Sequence, residues 1–122
     1  MNRTIVDDND VKYYYGASSI SLIHRKKILN SGNVSLAFHM KKPVVGPNVG
    51  NIGPWLIETG NYVFDPNDFK SLSVSVRKVL EDKSIGDENY KYAKRKLSTN
   101  LISSQLYTYY KELLYGKDIC LP

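Results

Sequence analysis

Short apolar runs alternate with stretches of helical periodicity along most of the chain, and this alternation constrains the fold more than any other feature. The apolar runs lie at residues 19–23, 43–45 and 62–64 and are separated by turn residues. Strands buried on both faces of a parallel sheet have this pattern, and consecutive parallel strands need a crossover connection, usually a helix. The sequence therefore predicts an α/β fold: a Rossmann-like parallel sheet flanked by helices on both faces, with a helical C-terminus.

Six helical stretches accompany the three predicted strands. The second is predicted to place Val34, Ala37 and Phe38 on one apolar face, and the third to have Pro54 in its first turn and to end at Gly60. The fourth is predicted from an apolar stripe of Phe69, Leu72, Val76, Val79 and Leu80. The others are predicted after the acidic residues 7–10 and around residues 90–97 and 101–115, with Gly116 ending the last.

Length and composition indicate one domain. The 122 residues are 42% hydrophobic and 24% charged, as in globular proteins. The single Cys120 excludes an intrachain disulfide and a multi-cysteine metal site, so a cytoplasmic location is the expectation. No apolar stretch is long enough to span a bilayer. The first predicted helix cap begins at residue 7, so a strand before it could use only residues 3–6. We therefore expect residues 1–122 to be a single, partial domain.

The chain carries a net charge of +5, which indicates anionic partners. Nucleic acid, an anionic membrane face and a nucleotide diphosphate all satisfy this requirement. The compact basic run is residues 24–27. Ten tyrosines suggest stacking against nucleic-acid bases, but no RNA- or DNA-binding motif accompanies them, and nucleic acid is not the expected partner.

A strand, a basic loop and a helix start follow one another between residues 19 and 34. A helix N-terminus presents unpaired N–H groups and a partial positive charge, and a glycine there lets a ligand approach the backbone. Such a site can hold a diphosphate, and a capped helix after a solvated basic loop is the alternative interpretation. The candidate residues for holding a diphosphate are Arg25, Lys27, Ser31 and Gly32.

Four segments in order resemble family-four-like glycosyltransferases. Residues 16–25 are similar to an alanine-alanine-aspartate, apolar strand, proline-tyrosine-arginine segment of that family. Residues 42–45 and 49–52 resemble its glycine-lysine-proline-valine-valine and valine-glycine-glycine-isoleucine segments. Residues 59–68 resemble its threonine-glycine, apolar strand, aspartate-proline-aspartate-aspartate segment, and residues 72–82 its helix ending in leucine-glutamate-aspartate. The resemblance runs from Val11 to Tyr115.

The resemblance implies a GT-B architecture of two Rossmann-like domains, of which this chain is the C-terminal, donor-binding part. It implies that Ser31, Gly32, Asn33 and Val34 lie along the pyrophosphate and ribose of a nucleotide-diphosphate sugar, with Arg25 nearby, which brings the candidate donor-binding residues to six. A glycan or lipid-linked acceptor and an N-terminal acceptor domain, in the same or another chain, are the implied partners. Peripheral contact with the inner face of the cell membrane is a further expectation. No cofactor or metal is expected.

Two departures from the family pattern bear on the function. The family usually has two glutamates separated by seven residues, at positions where this chain has Ile28 and Leu36, so no catalytic carboxylate is assigned. The start of the helix at residues 31–34 is closer to relatives with a serine-glycine, small, apolar sequence. The acceptor domain and the upstream arginine and lysine for the diphosphate have no counterpart. A catalytically inactive nucleotide-binding or interaction module is therefore the alternative function.

The two histidines are the remaining candidates for acid–base chemistry. His24 lies at a predicted strand end, and His39 lies on a predicted helix between apolar residues. Neither has a matched serine, cysteine or metal-ligand partner, so structural or surface roles are favoured for both.

Overall fold

Three parallel strands form the centre of the molecule. The computed structural model describes residues 5–116, in which β1 (Ser21–Leu22), β2 (Val44–Pro47) and β3 (Tyr62–Phe64) pair in the order β1-β2-β3. Both pairings are parallel. This confirms the predicted α/β class and the parallel sheet. β1 is shorter than the apolar run at residues 19–23, and β2 continues through Gly46 into Pro47, a residue tolerated only at strand edges and ends.

The described residues contain six helices, as predicted. They are α1 (Val11–Ala17), α2 (Gly32–His39), α3 (Ile52–Glu58), α4 (Phe69–Glu81), α5 (Ile85–Lys96) and α6 (Thr99–Leu114). None of them is long and apolar enough to cross a bilayer.

The core lies on both faces of the sheet. Val44 and Val45 are consecutive in β2, so their side chains point to opposite faces, and each belongs to a separate buried cluster. The cluster around Val44 contains the predicted face of α2 (Val34, Ala37 and Phe38) together with residues of α3 and Ala93 of α5. The cluster around Val45 contains Phe64, Val79 of α4 and Ile85 of α5. The prediction of helices on both faces is therefore confirmed.

Helix α5 begins well before its predicted start because a tertiary contact governs its first turn. Gly86 is buried there, and a Cβ atom on it would collide with the carbonyl oxygen of Lys41. The glycine thus lets α5 approach the end of α2 closely. Local propensity disfavours glycine in a helix, which is why the sequence pattern misses this turn.

Apolar residues of α4 and α6 are more exposed than their pattern predicts. Phe69 and Leu80, both assigned to the apolar stripe of α4, are 81% and 50% exposed. Phe69 is the first residue of the helix, just after the Asp68 cap. Helix α6 has no buried residue along its whole length.

Two buried asparagines join the elements at the N-terminal edge of the sheet. The Asn61 Nδ2 atom donates to Asn89 Oδ1 at 2.8 Å, and Asn89 Nδ2 donates to Asn61 Oδ1 at 2.9 Å. Asn61 Oδ1 also accepts from the Val44 N–H, and Asn89 Nδ2 donates to the Lys42 carbonyl. This network fixes α5 against β2 at the edge opposite the candidate site. Cys120, by contrast, lies outside the described residues.

Candidate functional site

The candidate site is a cleft at the C-terminal edge of the sheet, between the end of β1 and the start of α2. We call it the α2 cleft. Its volume is about 340 Å³, and it is lined by Leu22, Ile23, His24, Arg25, Ile28, Asn30, Ser31, Gly32 and Asn33. Ligands of open α/β sheets bind beyond the carboxyl ends of the strands, which is where this cleft lies.

Ser31 caps α2 and shapes one wall of the cleft. Its backbone is extended (φ −145°, ψ 123°), and its Oγ atom accepts a hydrogen bond from the Asn33 N–H at 3.2 Å. This is the ordinary geometry of an N-cap serine. Since Oγ is the acceptor in that bond, the hydroxyl hydrogen remains available to a ligand.

Gly32 is the first residue of α2 and the most open point of its N-terminus. The Val34 N–H bonds to the Ser31 carbonyl and the Asn33 N–H bonds to Ser31 Oγ, whereas the Gly32 N–H has no protein acceptor within residues 5–116. A Cβ atom on Gly32 would meet nothing within 4 Å. The backbone here is therefore accessible, and a larger side chain would project into open space.

Arg25 supplies the positive charge of the cleft. Its side chain is exposed, and the ion pair found within residues 5–116 joins Lys91 to Glu88 on α5, far along the chain from the cleft. No carboxylate among those residues forms an ion pair with the Arg25 guanidinium. An anion in the cleft would meet this charge together with the positive end of α2.

The six sequence-predicted residues separate into two groups. Arg25, Ser31, Gly32 and Asn33 line the α2 cleft. Lys27 is exposed on the same loop but does not line it, and the Val34 side chain is fully buried in the core. Val34 can therefore offer a ligand only its backbone.

A second, smaller cavity of about 80 Å³ lies on the other side of His24 and Arg25. It is lined by His24, Arg25, Lys26, Phe64, Asp65, Pro66, Asp68, Phe69 and Leu72. Asp65 and Asp68 each accept a hydrogen bond from a nearby backbone N–H, of Asn67 and Lys70 respectively. Part of the hydrogen-bonding capacity of both carboxylates is therefore used locally. The sequence predicts both acids as turn and cap residues, which agrees with these bonds.

Acidic residues are absent from the lining of the α2 cleft, whose ionisable members are His24 and Arg25. Nor do the residues from 5 to 116 contain a group of three or more histidine, cysteine, aspartate or glutamate side chains that could hold a metal ion. The α2 cleft is thus equipped to bind an anion through backbone, hydroxyl, amide and guanidinium donors.

Sequence reasoning missed Asn30, a lining residue of the cleft that is hydrogen-bonded to a neighbouring loop. Asn30 lines the cleft, and its Oδ1 atom accepts a hydrogen bond from Asn51 Nδ2 at 3.2 Å. Asn51 stands where the family-four-like segment has its second glycine. That replacement of a glycine by a polar side chain was the available signal.

The fold matches part of a known enzyme. No protein-family model matches the sequence, and no curated protein matches it. In structure the chain is similar to a sucrose-phosphate synthase from Thermosynechococcus elongatus, with a TM-score of 0.81 and 17% sequence identity. The match covers 92% of this chain and 29% of the synthase, so the chain spans less than a third of that protein. The chain therefore has a glycosyltransferase-like fold, corresponding to a C-terminal Rossmann-like part of a GT-B architecture.

Proposed function

We propose that this chain is the donor-binding part of a family-four-like glycosyltransferase and that it binds a nucleotide-diphosphate sugar in the α2 cleft. The glycosyl group would be transferred to a glycan or to a lipid-linked acceptor. The observation that carries the proposal is the convergence of Ser31, the open Gly32 backbone and the unpaired Arg25 charge at the C-terminal edge of a parallel sheet.

The chemistry of a diphosphate fits these groups. Its oxygens accept hydrogen bonds from the Gly32 N–H, from the Ser31 hydroxyl and from the Arg25 guanidinium, while the dipole of α2 favours the negative charge. The cleft has no carboxylate to repel the phosphates. The structural likeness to a sucrose-phosphate synthase supports this assignment at the level of the fold.

The proposal extends to the rest of the reaction. The acceptor would be held by a second Rossmann-like domain in the same or another chain, as the resemblance implies. The reaction would take place in the cytoplasm, with peripheral contact at the inner face of the membrane where the acceptor is lipid-linked. No metal is assigned a role in donor binding, since the family resemblance implies none.

Calorimetry with UDP and GDP tests donor binding. We expect the parent chain to bind a nucleoside diphosphate more tightly than the matching nucleoside, because the phosphates contact α2. Gly32→Val should weaken binding at least about tenfold, since its side chain would occupy the approach to the N–H groups. Gly16→Val is the matched control, because Gly16 is also an exposed helical glycine with nothing within 4 Å of its Cβ position.

The charge of Arg25 is tested in the same way. Arg25→Ala should weaken binding by about 1–3 kcal/mol if the contact is direct and desolvated. Arg95→Ala makes the same change in net charge at an exposed position on α5 and should have little effect. Circular dichroism of each variant confirms that it is folded. If Gly32→Val and Arg25→Ala bind nucleotide as well as their controls, the α2 cleft is not the donor site.

A catalytically inactive nucleotide-binding or interaction module is the second candidate. It is favoured by the absence of any acidic residue in the lining of the α2 cleft. Indifference between nucleoside and nucleoside diphosphate in the same calorimetry would support a structural or interaction role. A diphosphate preference supports nucleotide binding in the α2 cleft and argues against a purely structural role.

A further inference from the structure

The loop after β2 is hydrogen-bonded to the loop between β1 and α2, which lines the candidate site. The Asn51 N–H donates to the Leu29 carbonyl at 3.0 Å, and the Asn51 side chain reaches the Asn30 side chain. At its other end the same loop is joined to β3, because the Asn48 N–H donates to the Phe64 carbonyl at 2.9 Å. Residues 48–51 therefore connect the end of β3 with the loop that leads from β1 to α2.

A glycine makes this close approach feasible. Gly50 has a φ of +54°, and a Cβ atom on it would collide with the Ile28 carbonyl oxygen. The backbones of the two loops are thus in contact on one side of Asn51, and the Asn51–Asn30 hydrogen bond lies next to that contact. The position of Asn30 depends on the loop after β2 as well as on its own loop.

The hydrogen bond also determines which end of the Asn30 amide is free. Asn51 Nδ2 donates and Asn30 Oδ1 accepts, so the acceptor end of the Asn30 amide is engaged. Asn30 Nδ2 has no protein acceptor in the described part of the chain, and Asn30 lines the α2 cleft. A neutral amide nitrogen has two hydrogens to donate, and an anion accepts them.

We propose that Asn51 is a positioning residue that orients Asn30 so that its amide nitrogen donates to the phosphate groups of a nucleoside diphosphate in the α2 cleft. The proposal rests on the proposed function, since it assigns a fourth donor to the same site. It adds Asn30 to the groups that contact the ligand, and it assigns to Asn51 a role that acts through Asn30.

A double-mutant cycle with UDP and GDP tests this coupling. Asn30→Ala and Asn51→Ala should each weaken affinity about two- to tenfold, the effect of losing one hydrogen bond. The double variant should have about the same affinity as the more impaired of the two single variants, because both changes remove the same donor. The Asn51 N–H bond to Leu29 does not need the side chain, so the thermal unfolding midpoint of Asn51→Ala should stay near that of the parent.

Asn51→Asp supplies a readout that a purely structural role would not change. A carboxylate can only accept, so Asn30 must turn its nitrogen toward residue 51 and its oxygen toward the ligand. Binding at neutral pH should be weaker than for Asn51→Ala, and the difference should shrink as the pH falls toward about 4, where about half of an ordinary aspartate is protonated. The control is Asn51→Asp combined with Asn30→Ala: a defect that acts through Asn30 should then disappear, whereas direct repulsion of the phosphates by the carboxylate would persist.

The outcomes separate the two proposals. If Gly32→Val weakens binding but Asn51→Ala does not, or if the two alanine effects simply add, the positioning role is wrong and the donor site stands. If the parent chain binds neither UDP nor GDP, the donor site is wrong and the role of Asn51 is overturned with it. Coupled alanine effects, with a pH-dependent Asn51→Asp defect that disappears when Asn30 is alanine, support the proposal.

Discussion

Gly50 and Gly60 both have positive φ angles, yet their surroundings differ. Gly50 (φ +54°) abuts the backbone of Ile28 and Leu29, with Leu29 Cα at 2.9 Å from its Cβ position. Gly60 (φ +75°), at the end of α3, has nothing within 4 Å. The first glycine is required both by its backbone angle and by the neighbouring loop, and the second by its angle alone.

Replacing these two glycines with alanine should therefore lower the free energy of unfolding by different amounts. Gly60→Ala should lower the free energy of unfolding by about 1–2 kcal/mol, the cost of a left-handed conformation for a residue with a Cβ atom. Gly50→Ala should lower it further, because the loop after β1 must also move. Urea denaturation measures both values. Equal costs would mean that the two loops are not in contact in solution.

Helices α3 and α6 have similar apolar content but different environments. Leu56 of α3 is fully buried against the sheet, whereas Leu106 of α6 is 50% exposed. A leucine stabilises the fold through the apolar area that it removes from water. Its contribution therefore depends on whether its helix buries it against the core.

A pair of leucine substitutions tests this difference between elements. Leu56→Ala should lower the free energy of unfolding by about 2–5 kcal/mol because it leaves a cavity in the core. Leu106→Ala should change it by less than about 0.5 kcal/mol, as at other surface positions. Both values come from the same denaturation experiment. A large cost at Leu106 would contradict the exposed position of α6.

At the scale of the whole molecule, the proposed donor site is a cleft whose lining contains no carboxylate. All of its lining residues lie between Leu22 and Asn33. In enzymes, catalysis of group transfer depends on holding both reactants together in a site that excludes water. The chain spans 29% of the synthase that it matches in structure.

We therefore expect the purified 122-residue chain to transfer no sugar by itself. The test is incubation with UDP-hexoses and GDP-hexoses and simple sugar acceptors, with detection of the glycosylated product. Binding of UDP or GDP by the same preparation is the control for a folded donor site. Sugar transfer by this chain would show that the prediction is wrong.

Much of the fold could be predicted because its signals are local. The apolar face of α2 and the order of strands and helices follow from side-chain periodicity, which needs no knowledge of distant residues. The position of β3 and the stop of α6 near Gly116, with its φ of +62°, follow from turn and cap residues. Ser31 could be predicted as a cap for the same reason.

Other features depend on which elements meet, and the tertiary structure alone decided them. The early start of α5 depends on the contact of Gly86 with Lys41, and the buried amide network joins residues 28 positions apart. The sequence does not distinguish Lys27 from Arg25 as a basic ligand residue, but of these two only Arg25 lines the α2 cleft. Asn30 meets Asn51 because parallel strands bring their C-terminal loops to one edge. Local sequence determines the elements through periodicity and capping, whereas contacts between distant residues arise only when those elements pack.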